Sequence, residues 1–120
     1  GLGKDCSQFV RPAALLGPHS APLGMKFYTG SMFPNKYRGA IFIARHGPWN
    51  RTNRYAADVV VAYLNGKGGI TKVEPFLTGL VADNEYLGRP VDLLILKDGS
   101  MLVSDDHNGA IYRISYKGQD

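Results

Sequence analysis

The sequence predicts an all-β fold made of antiparallel, glycine-punctuated meanders. Three observations lead there: short runs of Val, Ile, Leu, Phe and Tyr, tight-turn dipeptides between them, and no segment with a convincing helical period. With 15 glycines and 7 prolines in 120 residues, turns are frequent enough to leave only short strands. A chain of this length forms at most one domain, with a modest core.

The elements follow in order. Residues 1–18, with Pro12, Gly17 and Pro18, have no sustained period and read as an irregular lead-in. Residues 23–29 form an apolar and aromatic run closed by Gly30. Residues 40–44 (Ala-Ile-Phe-Ile-Ala) are continuously apolar, as in a strand covered on both faces. Residues 58–64 are rich in valine and stop at the turn Asn65-Gly66, and residues 70–77 supply a fourth strand. A polar loop over 82–88 precedes a strand at 91–96. Asp98-Gly99 suits a two-residue hairpin turn into a return strand at 101–104. After Asn108-Gly109, residues 110–116 alternate Ile111, Arg113 and Ser115 against Tyr112, Ile114 and Tyr116, as at the edge of a core.

The pattern repeats. Ala-Ile-Phe-Ile-Ala-Arg-His at 40–46 and Ser-Met-Leu-Val-Ser-Asp-Asp at 100–106 each follow a glycine turn, at an offset of about 60 residues. Repeated meanders of this kind predict β-propeller blades: one four-stranded antiparallel blade over about 23–77, and most of a second over about 89–116. A propeller ring needs at least about four blades, so the segment 19–120 reads as a sector of a larger one.

Composition removes several function classes. The net charge is +4 and the pI about 9.3, but the 14 Lys and Arg are scattered, with no basic stripe or basic-aromatic motif for nucleic acid. Mean hydropathy is -0.17, and no apolar run approaches the roughly 18 residues of a membrane span. The single cysteine, Cys6, excludes an internal disulfide and zinc-ligand spacing. The N-terminus shows no signal-peptide pattern. There is no phosphate loop, and Ser104, Asp105 and His107 are too close in sequence to converge as a nucleophilic triad. Asn50-Arg51-Thr52 has the form of a glycosylation sequon.

The strand order sorts the loops between two rims. Loops 17–22, 45–57, 81–90 and 105–109 fall on one, with His19, His46, Asn50, Arg51, Arg54, Arg89, Asp105, Asp106 and His107. The opposite loops hold Asn35, Lys36, Lys67 and Lys97, an ordinary solubilising surface. The asymmetry places a candidate site on the first rim.

Several phrases in series carry a resemblance: His19-Ser20-Ala21-Pro22-Leu23-Gly24-Met25, Phe27-Tyr28, Phe33-Pro34, Tyr37-Arg38-Gly39, His46-Gly47-Pro48-Trp49-Asn50-Arg51, Gly88-Arg89-Pro90-Val91-Asp92, Leu102-Val103-Ser104-Asp105-Asp106 and Ile111-Tyr112-Arg113. In order and spacing over 19–116 they resemble the glucose/sorbosone dehydrogenase family, closest to its pyranose dehydrogenase type. The resemblance implies the C-terminal part of a six-bladed quinoprotein. Such a protein oxidises an aldose or related pyranose and passes a hydride to pyrroloquinoline quinone beside a bound Ca²⁺. It further implies a sugar substrate, an electron acceptor such as a cytochrome domain, the remaining blades as partners, and a periplasmic or secreted location. The family's general-base histidine and calcium-binding carbonyls belong to earlier blades, so no catalytic residue is assigned firmly here and no metal ligand is expected. The sequence departs from the family pattern at Pro48, at Ala56-Ala57, and at Val91, where relatives carry a second arginine.

Pyrroloquinoline quinone is a flat tricarboxylate, so its pocket calls for guanidinium forks and an apolar or aromatic surface. The resemblance assigns Arg89 to cofactor contact and gives Arg51 the place of a lysine in relatives. For each, the competing reading is a surface ion pair, with Asp92 or Glu85 in the case of Arg89. Trp49 either covers the cofactor ring or lines a sugar subsite, or else anchors its loop. Asn50 is grouped with the cofactor contacts and His19 with substrate. His46 either orients a quinone oxygen or a substrate hydroxyl, or is a hydrogen-bonded structural histidine. Asp105-Asp106 either binds Ca²⁺ or accepts backbone N–H bonds in a turn. The rival functions are a noncatalytic blade module that binds carbohydrate or protein through Trp49 and the arginines, and a remnant of structural value alone.

Overall fold

The computed structural model describes residues 3–118. β1 (Pro22–Phe27), β2 (Ile41–Arg45), β3 (Asp58–Leu64) and β4 (Ile70–Leu77) form a four-stranded antiparallel sheet in chain order. A short hairpin follows, β5 (Val81–Ala82) with β6 (Glu85–Tyr86), and then a three-stranded antiparallel sheet of β7 (Pro90–Ile95), β8 (Met101–Asp105) and β9 (Ala110–Ile114). Two short 3-10 turns, Cys6–Gln8 and Asn35–Tyr37, are the only helical elements among the described residues.

The fold is the all-β arrangement of two propeller-like blades, side by side and not closed into a ring. The related phrases at 40–46 and 100–106 fall on β2 and β8, the second strand of each sheet. Besides shifts of one or two residues at the ends of β1, β2, β7, β8 and β9, two details differ from the sequence reading. The 82–88 segment is not a plain loop: Asp83 and Asn84 both adopt left-handed backbone (φ 50° and 57°), which closes the β5–β6 hairpin. Strands of two residues carry no alternation, so periodicity could not find them. The Asp98-Gly99 turn spans three residues, 97–99, with Leu96 N–H bonded to Ser100 O and Gly99 at φ 90°.

β2 is covered on both faces, as its unbroken apolar run requires. Phe42 and Ala44 point with Val59 and Val61 toward the second sheet and meet Leu93, Met101 and Val103 in the main core. Ile41 and Ile43 point the other way with Val60 and Ala62, where Leu16 of the lead-in packs on them. Arg45 holds the lead-in with a bond from Nη1 to Leu16 O (3.0 Å), while its other nitrogens fork onto Asp58 (2.7 and 2.6 Å). An aromatic cluster closes the far end of the core, with Tyr28 stacked on Phe33 (centroids 4.8 Å apart) and Phe42 edge-on to Phe76 (4.6 Å).

At Gly24 and Gly30 the first sheet and its following loop approach the second too closely for a side chain. A Cβ at Gly24 would lie 2.7 Å from Asp92 Cα and 2.8 Å from Val91 O, and one at Gly30 would lie 2.7 Å from Gly99 Cα. Beside this contact, the buried Tyr28 hydroxyl donates to Gly99 O (2.8 Å) and accepts from Phe33 N–H (2.9 Å).

Tyr63 provides a contrast. Its hydroxyl is buried with no hydrogen-bond partner among the described residues. Burial first, and then the neighbouring Glu74 carboxylate, push the phenol up to about 12, although no bond of acceptable geometry joins the two side chains. Tyr28→Phe orphans a buried carbonyl and a buried N–H and is expected to cost about 1–3 kcal/mol in urea unfolding. Tyr63→Phe removes only an unpaired hydroxyl, so its expected cost is below about 0.5 kcal/mol. Equal losses would contradict this assignment.

Candidate functional site on the loop rim

The strand directions gather 19–21, 46–57, 78–89 and 106–109 at one end of the two sheets, and hydrogen bonds join these loops. His46 N–H donates to Ala21 O (2.9 Å) and Gly47 N–H to Ser20 O (3.0 Å), which pins the start of the 46–57 loop to the residues leading into β1. Gly47 has φ 83°, and a Cβ there would lie 2.6 Å from Tyr55 O, so glycine is required.

The β5–β6 hairpin braces the same loop from the side. Tyr86 Oη donates to Pro48 O (2.5 Å) and Asn84 Nδ2 to Thr52 O (2.7 Å). Arg54 returns bonds from its backbone N–H to Asn84 Oδ1 (2.8 Å) and from Nη1 to Asn84 O (2.6 Å), and pairs with Glu85 (2.9 Å). Tyr86 and Asn84 were not singled out from the sequence. The Asp-Asn step that makes the hairpin turn was the available signal.

Arg89 links the sheets at this end. Its Nε donates to His46 O (3.0 Å) and its Nη2 to Gly47 O (2.8 Å), with the guanidinium carbon 4.4 Å from the centre of the Tyr86 ring. The surface ion pair expected as the alternative is absent: Glu85 pairs with Arg54, and the Asp92 carboxylate accepts from Leu93 N–H. The Nε/Nη2 edge of the fork is therefore engaged by two consecutive carbonyls. Nη1 has no protein partner among the described residues, which leaves the terminal Nη1/Nη2 edge able to receive a carboxylate.

Beneath Arg89 sits Asp105, only 2% exposed. One carboxylate oxygen accepts from the N–H groups of Arg89 (2.9 Å), His107 (2.9 Å) and Asn108 (3.3 Å). The other accepts from Tyr112 Oη (2.7 Å) and Asn108 Nδ2 (2.8 Å). Burial by itself would raise this carboxyl, but the Arg89, Tyr112 and Asn108 bonds outweigh it and bring it down to about 2. Asp106 turns the other way and meets His46 Nε2 at 2.8 Å. Asp105 is thus the turn-organising acid of the two readings. Among the described residues no three His, Cys, Asp or Glu side chains converge as a metal site.

The structure joins His46, Arg89, Asp105 and Asp106 in one network. Trp49, Asn50 and Arg51 lie further along the same loop and are exposed; no hydrogen bond connects them to Arg89. Trp49, 85% exposed, does not anchor its loop, a task that falls to Tyr86 and Arg89. Asn50 and Arg51 border a shallow polar depression with Thr52, Asn53 and Tyr55. His19 is exposed on left-handed backbone (φ 59°), and the exposed His107 contributes its backbone N–H to Asp105.

The Asp105 carboxyl lies below its ordinary value in the folded state, so its contribution to stability is complete above about pH 4 and disappears as pH falls through about 2. Wild-type stability is expected to fall by about 2 kcal/mol across that window from this residue. Asp105→Asn, less stable at neutral pH, is expected to flatten this part of the profile in denaturant titrations. An unchanged slope would remove Asp105 from this role.

Comparison with known proteins agrees with the architecture. A family model described as TrAA12-like matches residues 3–117. An uncharacterized protein of Borreliella burgdorferi is 36% identical over 92% of this chain and 30% of its own length. A pyrroloquinoline quinone-dependent pyranose dehydrogenase of Coprinopsis cinerea is 32% identical over 88% of this chain and 16% of its own length. Among solved structures, the holo form of the pyranose dehydrogenase PQQ domain from Coprinopsis cinerea superposes with a TM-score of 0.68 at 28% identity, covering 92% of this chain and 30% of that one. A Trichoderma reesei structure from carbohydrate-active enzymes family AA12 superposes with a TM-score of 0.63 at 24% identity, covering 79% of this chain and 24% of that one, and shares the fold. The chain thus spans less than a third of the relatives it matches. The likeness is to pyranose dehydrogenase and AA12 proteins, which corrects the broader glucose/sorbosone assignment. The chain belongs to the TrAA12-like family.

Proposed function

We propose that this chain is a two-blade sector of a pyrroloquinoline quinone-dependent sugar dehydrogenase, and that its loop rim forms one wall of the cofactor pocket. The observation that carries the proposal is the divided use of the Arg89 guanidinium: one edge is fixed on two backbone carbonyls, the other is open to a carboxylate. A preorganised fork loses little freedom when it receives an anion. The relatives named for this cofactor support reading that carboxylate as one belonging to pyrroloquinoline quinone.

The donor set suits a flat tricarboxylate. Arg89 would hold one carboxylate, the exposed Arg51 a second, with Asn50 as a polar neighbour and Trp49 offering an aromatic face. His46 stands at the centre of the rim within reach of a polar group of cofactor or sugar, and His19 borders the sugar side. When bound, the quinone supplies the acceptor for a hydride from the sugar. Ca²⁺, the electron acceptor and the remaining blades of a six-bladed ring would belong to the rest of a secreted or periplasmic protein.

Two exposed apolar surfaces support the sector reading. Leu23, Met25 and Phe27 of β1 are each more than half exposed, and Met25 and Phe27 pair with Ile43 and Ile41 on the face turned away from the second sheet. On the opposite outer face, Leu94 and Ile111 are 54% and 70% exposed beside Leu102 and Ser104. Neighbouring blades would cover both. The exposure of Trp49 also favours a second reading, carbohydrate binding without chemistry. Saturable quenching of its fluorescence by sugars in the absence of quinone would support that reading.

Cofactor titrations of wild type, Arg89→Ala and Arg89→Lys test the assignment, with thermal unfolding as a control for the structural share of Arg89. Loss of a charge-assisted bond worth about 1.5–3 kcal/mol weakens binding roughly ten- to hundredfold. Lysine should recover only part, lacking the fork. Unchanged affinity in Arg89→Ala would remove the residue from the site.

A further inference from the structure

We infer that Asp106 is a positioning residue that selects the tautomer of His46. Asp106 holds the proton on Nε2 and leaves Nδ1 as a proton acceptor on the rim. The inference rests on the reading of the rim as a sugar and cofactor site, which it deepens.

The His46 backbone is held on both sides. Its N–H is bound by Ala21 O and its carbonyl by Arg89 Nε, so only the ring remains to be oriented. The ring has one polar contact, Nε2 to Asp106 Oδ1 at 2.8 Å. A carboxylate only accepts at neutral pH, so a contact of that length requires a proton on Nε2. In the neutral imidazole the other nitrogen then has a free lone pair. Nδ1 has no protein partner among the described residues, and it is not among the buried polar atoms left unsatisfied, so it is open to solvent. A histidine in this state can accept a proton from a hydroxyl, and the imidazolium so formed faces the Asp106 carboxylate.

The two consecutive acids divide two tasks. Asp105 spends both oxygens on the N–H groups of Arg89 and His107, the Asn108 amide and the Tyr112 hydroxyl, and so fixes the backbone from which Asp106 projects. Among the described residues the Asp106 side chain has no hydrogen bond other than the one to His46, and it is 64% exposed. The contact crosses between the two sheets, joining the residue that follows β2 to the residue that follows β8. An exposed ion pair contributes at most about 1 kcal/mol to stability, so its main consequence here is orientation.

Long-range ¹H–¹⁵N correlation spectra of the histidine rings test this at about pH 8.5, well above the ordinary imidazole range. The exposed His19 and His107 serve as references within the same molecule. Wild type is expected to show His46 as a single Nε2–H tautomer. Asp106→Ala should bring it to the mixed populations of His19 and His107, and Asp106→Asn, which keeps an acceptor oxygen, should restore the bias. Thermal stability should be nearly the same in all three. A His46 indistinguishable from the references in wild type, or unmoved by Asp106→Ala, would overturn the proposal. The spectra need neither quinone nor sugar, so their failure is distinct from a failure of cofactor binding through Arg89.

Discussion

Everything on the rim depends on the second sheet being fixed against the first, and at two glycines that junction is an approach of backbones at which side chains are excluded. Gly24 lies on Asp92 and Val91, and Gly30 on Gly99, closer than any Cβ would allow. Alongside the apolar core that the sheets share, polar bonds fasten these close approaches at both ends. Tyr28 does this at the end away from the rim, from within an aromatic cluster that excludes competing water. Arg89 does it at the rim, where its fork closes on the carbonyls of His46 and Gly47. Between them, Leu93, Met101 and Val103 fill the space against Phe42, Val59 and Val61.

This arrangement explains why structure and site share residues. Arg89 is half-buried, stacked on Tyr86, and needed to hold two loops in place, yet it keeps a terminal edge unoccupied. The same economy applies to the Asp105-Asp106 pair. One acid stabilises a turn, the other reaches across the junction to a histidine on the neighbouring sheet. Chemistry placed between two blades is held more rigidly than chemistry on either alone, because both sides of the junction position it.

The larger part of the fold was legible in the sequence for a physical reason. Valine-rich and apolar runs such as 58–64 and 40–44 must be strands in a chain without helical period, and their buried positions follow from covering both faces. The rim was legible because antiparallel connection alone decides which loops share an end. What the sequence could not disclose was pairing across the junction. Nothing local to Arg89 distinguishes a partner such as Glu85 from the backbone of a loop more than forty residues away. Tyr86 and Asn84 were hidden for a related reason, since their hairpin has strands of two residues and its value lies in what it braces. Trp49 is the reverse case, a residue type that often anchors loops, left exposed because Tyr86 already does so.

Equilibrium binding of pyrroloquinoline quinone and of its trimethyl ester to this chain asks whether the rim recognises a planar polycarboxylate through its arginines, as proposed. The ester keeps the ring system and the quinone but removes the charges that a guanidinium edge would hold. Saturable binding of the acid is expected, with binding of the ester at least about tenfold weaker and no sugar oxidation by the sector alone. Equal affinity for acid and ester, or no binding of either, would contradict the proposal.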